Sequence, residues 1–268
     1  MISLLISEYR KFVSTRMWWV LLIIMAVYMG LTALGIAYVF TVGGEMSGPS
    51  GEVSPMAASA APSVVYTTAA SLGYVFPALI GVTSMAGEFR HKTITPTLLA
   101  TPQRGRVLVG KLIAAIPMGI LYGVVGTAAC VLLGAIVLNN GGVDPQLGSA
   151  DTWEIIARSV LSTTIWLLVG VALGSVLTNQ VAAIVLLLVF TQFIEPVARM
   201  LLPLADWGTH VAKYLPGAAG DSIAGGSFFN LMGGSDTLGL GAAVLVLLAY
   251  AVFFALLGRV TTLRRDIG

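Results

Sequence analysis

Six stretches of this chain are apolar enough and long enough to cross a lipid bilayer, and this restricts its fold more than any other feature. A helix needs roughly 20 apolar residues to span the hydrocarbon core, where no water satisfies an open backbone. The stretches run over about 17–42, 64–86, 108–138, 155–177, 181–194 and 238–258. The fifth is the shortest clean run and can continue to Leu204 across Glu195-Pro196. Charged residues make up 10% of the chain and hydrophobic ones 57%, whereas a soluble domain carries about 25% charged residues. The expected fold class is therefore all-α: a polytopic membrane protein with six transmembrane helices. Cys130 is the only cysteine, so an intrachain disulfide and a cysteine metal cluster are excluded.

Basic residues set the expected orientation. Arg10, Lys11 and Arg16 precede the first span. Arg90, Lys92, Arg104, Arg106 and Lys111 lie between the second and third, and Arg259, Arg264 and Arg265 follow the sixth. With six spans, all of these fall on one side, which the positive-inside rule makes the cytoplasm. Both termini are then cytoplasmic. The loops 43–62 and 139–154 contain no Lys or Arg and carry Glu45, Glu52, Asp144, Asp151 and Glu154. Ala58-Ser59-Ala60 resembles a signal-peptidase site. The apolar run before it is far longer than a signal core of 7–15 residues and ends well upstream of it, which favours a retained anchor.

Residues 1–16 read as a separate amphipathic helix lying in the interface. Ile2, Leu5, Ile6, Tyr9, Phe12 and Val13 recur at helical spacing, with Ser3, Ser7, Glu8, Arg10, Lys11 and Ser14 on the other face. Residues 17–268 form one six-span domain. Small residues at four-residue spacing, Gly119, Gly123 and Gly126 in span three and Gly170 and Gly174 in span four, allow close helix packing. They serve either packing within the chain or a subunit interface. Pro77 and Pro117 are expected to kink their spans. The segment 203–237 mixes Trp207, Tyr214, Phe228 and Phe229 with Gly, Pro and Asp, which fits a short re-entrant or interfacial helix pair. Glu195 and Arg199 share a helix face and form a candidate membrane ion pair.

The chain has no phosphate-binding loop of the form G-x-x-x-x-G-K-[ST], no H-E-x-x-H and no G-x-S-x-G. Neither catalysis nor ATP binding is expected of it. His91 and His210 fall on opposite sides of the expected membrane, so no metal site is expected.

The most specific segment is the basic loop 87–111. It contains Gly87-Glu88-Phe89-Arg90, then Thr93, the pair Leu98-Leu99, Pro102 followed by Arg104 and Arg106, and Lys111 at the start of span three. This order resembles the first cytoplasmic loop of type-2 ABC transporter permeases. It departs from the family in one respect: Gly105 stands three residues after Pro102, where the family often has Arg. The resemblance implies an exporter-like permease subunit in the plasma (inner) membrane of a bacterium. Such a subunit dimerises with a second copy or a related permease and binds separate ATPase subunits, which hold the ATP and Mg. It also implies that Gly87, Glu88, Phe89, Arg90, Thr93, Pro102, Arg104, Arg106 and Lys111 couple the spans to the ATPase. Nucleic acid is not an expected partner. The competing expectations are a self-contained secondary carrier or channel, and a non-transporting assembly or sensor protein.

Overall fold

The computed structural model describes residues 2–42, 55–100, 103–205, 207–226 and 237–262. Pro102, Phe228, Phe229, Arg264 and Arg265 lie outside the described residues. The described residues contain helices and no strand. In chain order these are α1 (Ile2–Ser14), α2 (Met17–Val42), α3 (Pro55–Ser71), α4 (Val75–Arg90), α5 (Ile94–Ala100), α6 (Arg104–Asn140) and α7 (Ala150–Val176). Then come α8 (Gln180–Val189), a π-helical turn (Phe190–Ile194), α9 (Glu195–Leu201), a 3-10 turn (Leu202–Leu204), α10 (Gly208–Ala212), α11 (Pro216–Ala224) and α12 (Leu240–Val260). Six helical segments are long and apolar enough to cross a membrane: α2, α3–α4, α6, α7, α8 through Leu204, and α12.

Lipid as solvent decides which helices sit inside. The centre is built from α7 and α3–α4, the two most buried spans at 78% and 72%, while α12 is only 17% buried. The central helices are also the least apolar spans. Thr67, Thr68, Ser159, Ser162, Thr163 and Ser175 are buried. Most of their hydroxyls donate to carbonyls three or four residues back, as Ser159 does to Ile155 and Thr163 to Ser159, so these hydroxyls need no water at depth. The greasier helices surround them and turn Val27, Leu31, Leu132, Val185, Leu245 and Phe253 outward.

Glycine sets the closest approach. A methyl on Gly170 would collide with the Ala78 carbonyl, one on Gly174 with Val82, and one on Gly81 with Leu167, so α4 and α7 touch backbone to backbone. Gly119 and Gly123 of α6 face Thr164 and Val160 of α7, and Gly126 faces Met25 of α2. All five expected packing glycines therefore meet helices of the same chain.

The proline expectations resolve differently. The second span is interrupted at Leu72–Tyr74, and Pro77 sits in the first turn of α4, where its missing N–H matters least. The helix α6 runs through Pro117 as one element. In the fifth span, Pro196 has a clear effect. The Glu195 N–H reaches back to Phe190, five residues away, and Pro196 has no N–H to offer Thr191. The Tyr74 hydroxyl donates to that Thr191 carbonyl at 3.3 Å, which supplies the partner the π-turn removes.

The α4–α7 contact generates a direct test. Gly170→Ala and Gly81→Ala should each lower thermal stability in detergent by about 1–3 kcal/mol, because no flexible atom can give way. Gly35→Ala, with nothing within 4 Å of the added methyl, should leave stability unchanged or slightly raised. Equal melting temperatures for all three variants would contradict the backbone contact.

Candidate functional site

The basic loop leaves α4 through a specific turn. Lys92 adopts a left-handed backbone, φ 55°, while Thr93 N donates to Glu88 O and Lys92 N to Phe89 O. This is the paired hydrogen-bond pattern that closes a helix C-terminus, normally with glycine at the left-handed position. The chain reverses there, and α5 starts with its first residue, Ile94, buried in the core.

Behind this turn lies a four-charge network that draws together α1, α4, α5 and α6. Lys111 Nζ donates to Glu8 Oε2 at 2.5 Å, Glu88 Oε1 at 2.9 Å and the Ser84 carbonyl at 3.2 Å. Lys11 Nζ donates to Glu8 Oε1 at 2.6 Å, Glu88 Oε1 at 2.9 Å and Thr97 Oγ1 at 3.1 Å. Each ammonium thus fills all three of its donor positions. Two carboxylates balance two lysines, which offsets part of the cost of removing four charges from water. A cavity of about 360 Å³ adjoins the network, lined by Phe12, Trp18, Ile80 and Gln180 among others.

Several expectations are corrected here. Glu8, assigned to the polar outer face of residues 1–16, is fully buried, and Ile6, Tyr9 and Val13 are exposed. The helix forms as expected but docks on α6, with Glu8 and Phe12 as its inward residues. Glu88 pairs with Lys11 and Lys111 inside the chain. Lys111 is 1% exposed and faces into the chain. Phe89 is half-buried against the molecule's own apolar core.

The remaining loop residues are more open. Gly87 and Arg104 are half-buried, and Arg90, Thr93 and Arg106 are exposed. The Arg90 guanidinium donates to Gln180 Oε1 at 3.4 Å, and Thr93 Oγ1 donates to the Glu88 carbonyl at 3.5 Å. Leu99 on α5 is 78% exposed. The loop therefore has a braced inner side and an open side carrying Arg90, Lys92, Leu99 and Arg106.

A second polar centre lies in the other half of the bundle. The Arg199 guanidinium donates to Asp221 Oδ2 at 2.9 Å and lies 3.6 Å from Glu195 Oε1. Glu195 Oε1 also accepts from the N–H groups of Gly217 and Ala218, the first turn of α11. Every residue of α11 is buried, packed against α7, α3 and α12. Glu195 and Arg199 do meet, and Asp221 joins them. The sequence signal for Asp221 was a lone acid in the otherwise small, uncharged run from Pro216 to Ala224. No group of three or more His, Cys, Asp or Glu that could hold a metal occurs among the described residues. No protein-family model matches the chain, and no curated protein matches it.

The inner network is tested by pH and substitution. Burial opposes the Glu8 charge, but Lys111 and Lys11 outweigh it and hold its pKa below the ordinary 4.5. Its stabilisation is therefore complete above 4.5 and lost as pH falls through the lower folded value. Burial also opposes the Lys11 charge, but Glu8 and Glu88 outweigh it and raise its pKa above 10.5. That contribution is complete below 10.5 and lost as pH rises through the higher folded value. Unfolding curves of wild type and Glu8→Gln should diverge at neutral pH and converge in acid. Lys111→Ala should cost about 3–5 kcal/mol by leaving buried carboxylates unpaired. Lys11→Ala, at a partly exposed position, should cost less than about 1 kcal/mol. Equal losses from both substitutions would contradict the burial difference.

Proposed function

We propose that this chain is the membrane-spanning permease subunit of an ATP-driven exporter. It forms the substrate path as a dimer and takes its energy from separate ATPase subunits through the loop 87–111. The observation that carries the reading is the short helix α5, held between α4 and α6, with Leu99 exposed on it and Arg90, Lys92 and Arg106 exposed in the chain on either side, and tied from behind to α1 and α6 by the buried ion network. A loop meant only to set topology needs positive charge. It does not need a closed helix end, a salt-bridged brace or an exposed leucine. Here the brace would carry a push on α5 to α1 and α6 together.

In this reading the basic end faces the cytoplasm. Its contacts are self-consistent: α1 docks on α6, Arg90 reaches Gln180, and the Thr262 hydroxyl at the end of α12 donates to the Val176 carbonyl. The docking residues are Arg90, Lys92, Leu99 and Arg106, with Glu88 and Lys111 as internal positioning residues. The chain's own role is mechanical. ATP and Mg belong to the partner, and the membrane is the plasma membrane of a bacterium.

The buried charges of Glu195, Arg199 and Asp221 favour a second reading, a carrier driven by an ion gradient. Transport in vesicles separates the two: dependence on the ATPase and ATP supports the first, and dependence on a gradient alone supports the second.

The docking reading predicts that the chain co-purifies with the ATPase encoded beside it, and that raising salt weakens the association. Leu99→Asp, or joint replacement of Arg90, Lys92 and Arg106 by alanine, should abolish or strongly weaken it with little change in thermal stability. Intact association in both variants would remove the open side of α5 as the docking surface.

A further inference from the structure

The two charge clusters differ in their balance. The inner one holds two acids and two bases. The outer one, among the described residues, holds Glu195, Asp221 and a single base, Arg199. Arg199 makes its short contact with Asp221 at 2.9 Å and stands 3.6 Å from Glu195. Glu195 is 2% exposed, and its Oε2 is buried with no hydrogen-bond partner. Fifteen residues separate it from the start of α8, about 22 Å along a helix, which places it within a hydrocarbon core roughly 30 Å thick. Among the described residues, the ionisable groups bearing on it from neighbouring elements are Asp221 of α11, Tyr74 just before α4 and Tyr250 of α12. None of these is a cation. The two α11 N–H groups on Oε1 supply only the partial positive charge of a helix terminus.

A buried site with an uncompensated negative charge and an orphaned carboxylate oxygen is costly. Two carboxyls beside one guanidinium resolve this by keeping one proton between them. We propose that the Glu195–Arg199–Asp221 cluster is a proton-binding site that holds one proton in this state, carried on Glu195, while Asp221 stays ionised against Arg199. The proton is taken from water and returned to it, and the cluster passes from net neutral to net negative when it leaves. Release is linked to α11, because the first turn of that helix holds the other oxygen of the same carboxyl. The inference does not depend on the exporter reading.

Infrared spectroscopy of the full chain in lipid nanodiscs at neutral pH tests this without a transport assay. Wild type should show the carbonyl stretch of a protonated carboxyl, and glutamate bearing a heavy isotope in its side-chain carboxyl should shift it. The band should disappear in Glu195→Gln, whose amide oxygen can still accept from Gly217 and Ala218. It should also disappear in Asp221→Asn, because the neighbouring negative charge is then gone while the Arg199 guanidinium stays beside Glu195. Absence of an isotope-shifted band in wild type would overturn the proposal even if neither variant folds. A band that persists in Asp221→Asn would overturn the shared charge count, and one that persists in Glu195→Gln would overturn the assignment to Glu195.

Discussion

The Lys111 ammonium is buried, and much of the end of the molecule where α1, α4, α5 and α6 meet is arranged around it. An ammonium has three donors, and a buried one is costly unless each finds an acceptor. The acceptors come from Glu8 on α1 and from Glu88 and Ser84 on α4. A lysine on α6 thus determines where α1 docks and how α4 ends. Lys11 repeats the pattern from α1 and adds Thr97 of α5. Four elements that also share one apolar core, through Phe12, Met85, Ile94 and Leu108, become one unit, and α5 carries the exposed Leu99 of that unit.

The bundle itself follows from a solvent that gives no hydrophobic reward for burying leucine. Helices meet in lipid where backbones can approach and where hydroxyls are already satisfied. This is why α7, with Gly170, Gly174 and its run of serines and threonines, occupies the centre, and why the more apolar α12 and α8 lie outside. The same rule explains the interrupted second span. The Gly73 and Tyr74 carbonyls there accept from Phe76 N and Ala78 N, and α7 and α2 cover the break, with Trp166 stacked on Tyr74 at 4.2 Å and Met29 against Gly73.

The spans were legible in the sequence because length and hydropathy are local, and the packing glycines because their spacing is local. So was the Glu195–Arg199 pair, four residues apart; the Glu8–Lys11–Glu88–Lys111 cluster was not, because its partners lie 77 and 103 residues apart, from Lys11 to Glu88 and from Glu8 to Lys111. Periodicity placed Glu8 on a polar face and left open what that face meets. A charged residue on an interfacial helix can face water or a buried counter-ion, and the pattern is the same. The usable signal was Lys111, a cation amid Val107, Leu108, Val109, Leu112 and Ile113, which demands an acid from elsewhere in the chain. Asp221 gave a similar signal inside a run of small residues. The resemblance of the basic loop placed α5 between two spans, but it could not reveal that Glu88 and Lys111 are already engaged.

Charge balance separates what these two clusters can do. At the inner end two acids are matched by two bases, and their contacts tie α1, α4, α5 and α6 together. Such a network braces. At the outer centre one carboxyl exceeds the bases, and a proton can join or leave while the Arg199–Asp221 pair remains whole. Its hold on α11 is also directional. The first turn of that helix favours an ionised Glu195, while Asp221, one turn further along the same helix, disfavours it. A displacement of α11 therefore moves both influences together and changes the affinity for the proton. By reciprocity, the proton changes the preferred position of α11. A balanced brace at one end and an unbalanced, helix-linked carboxyl at the other give the bundle one rigid region and one whose charge can follow conformation.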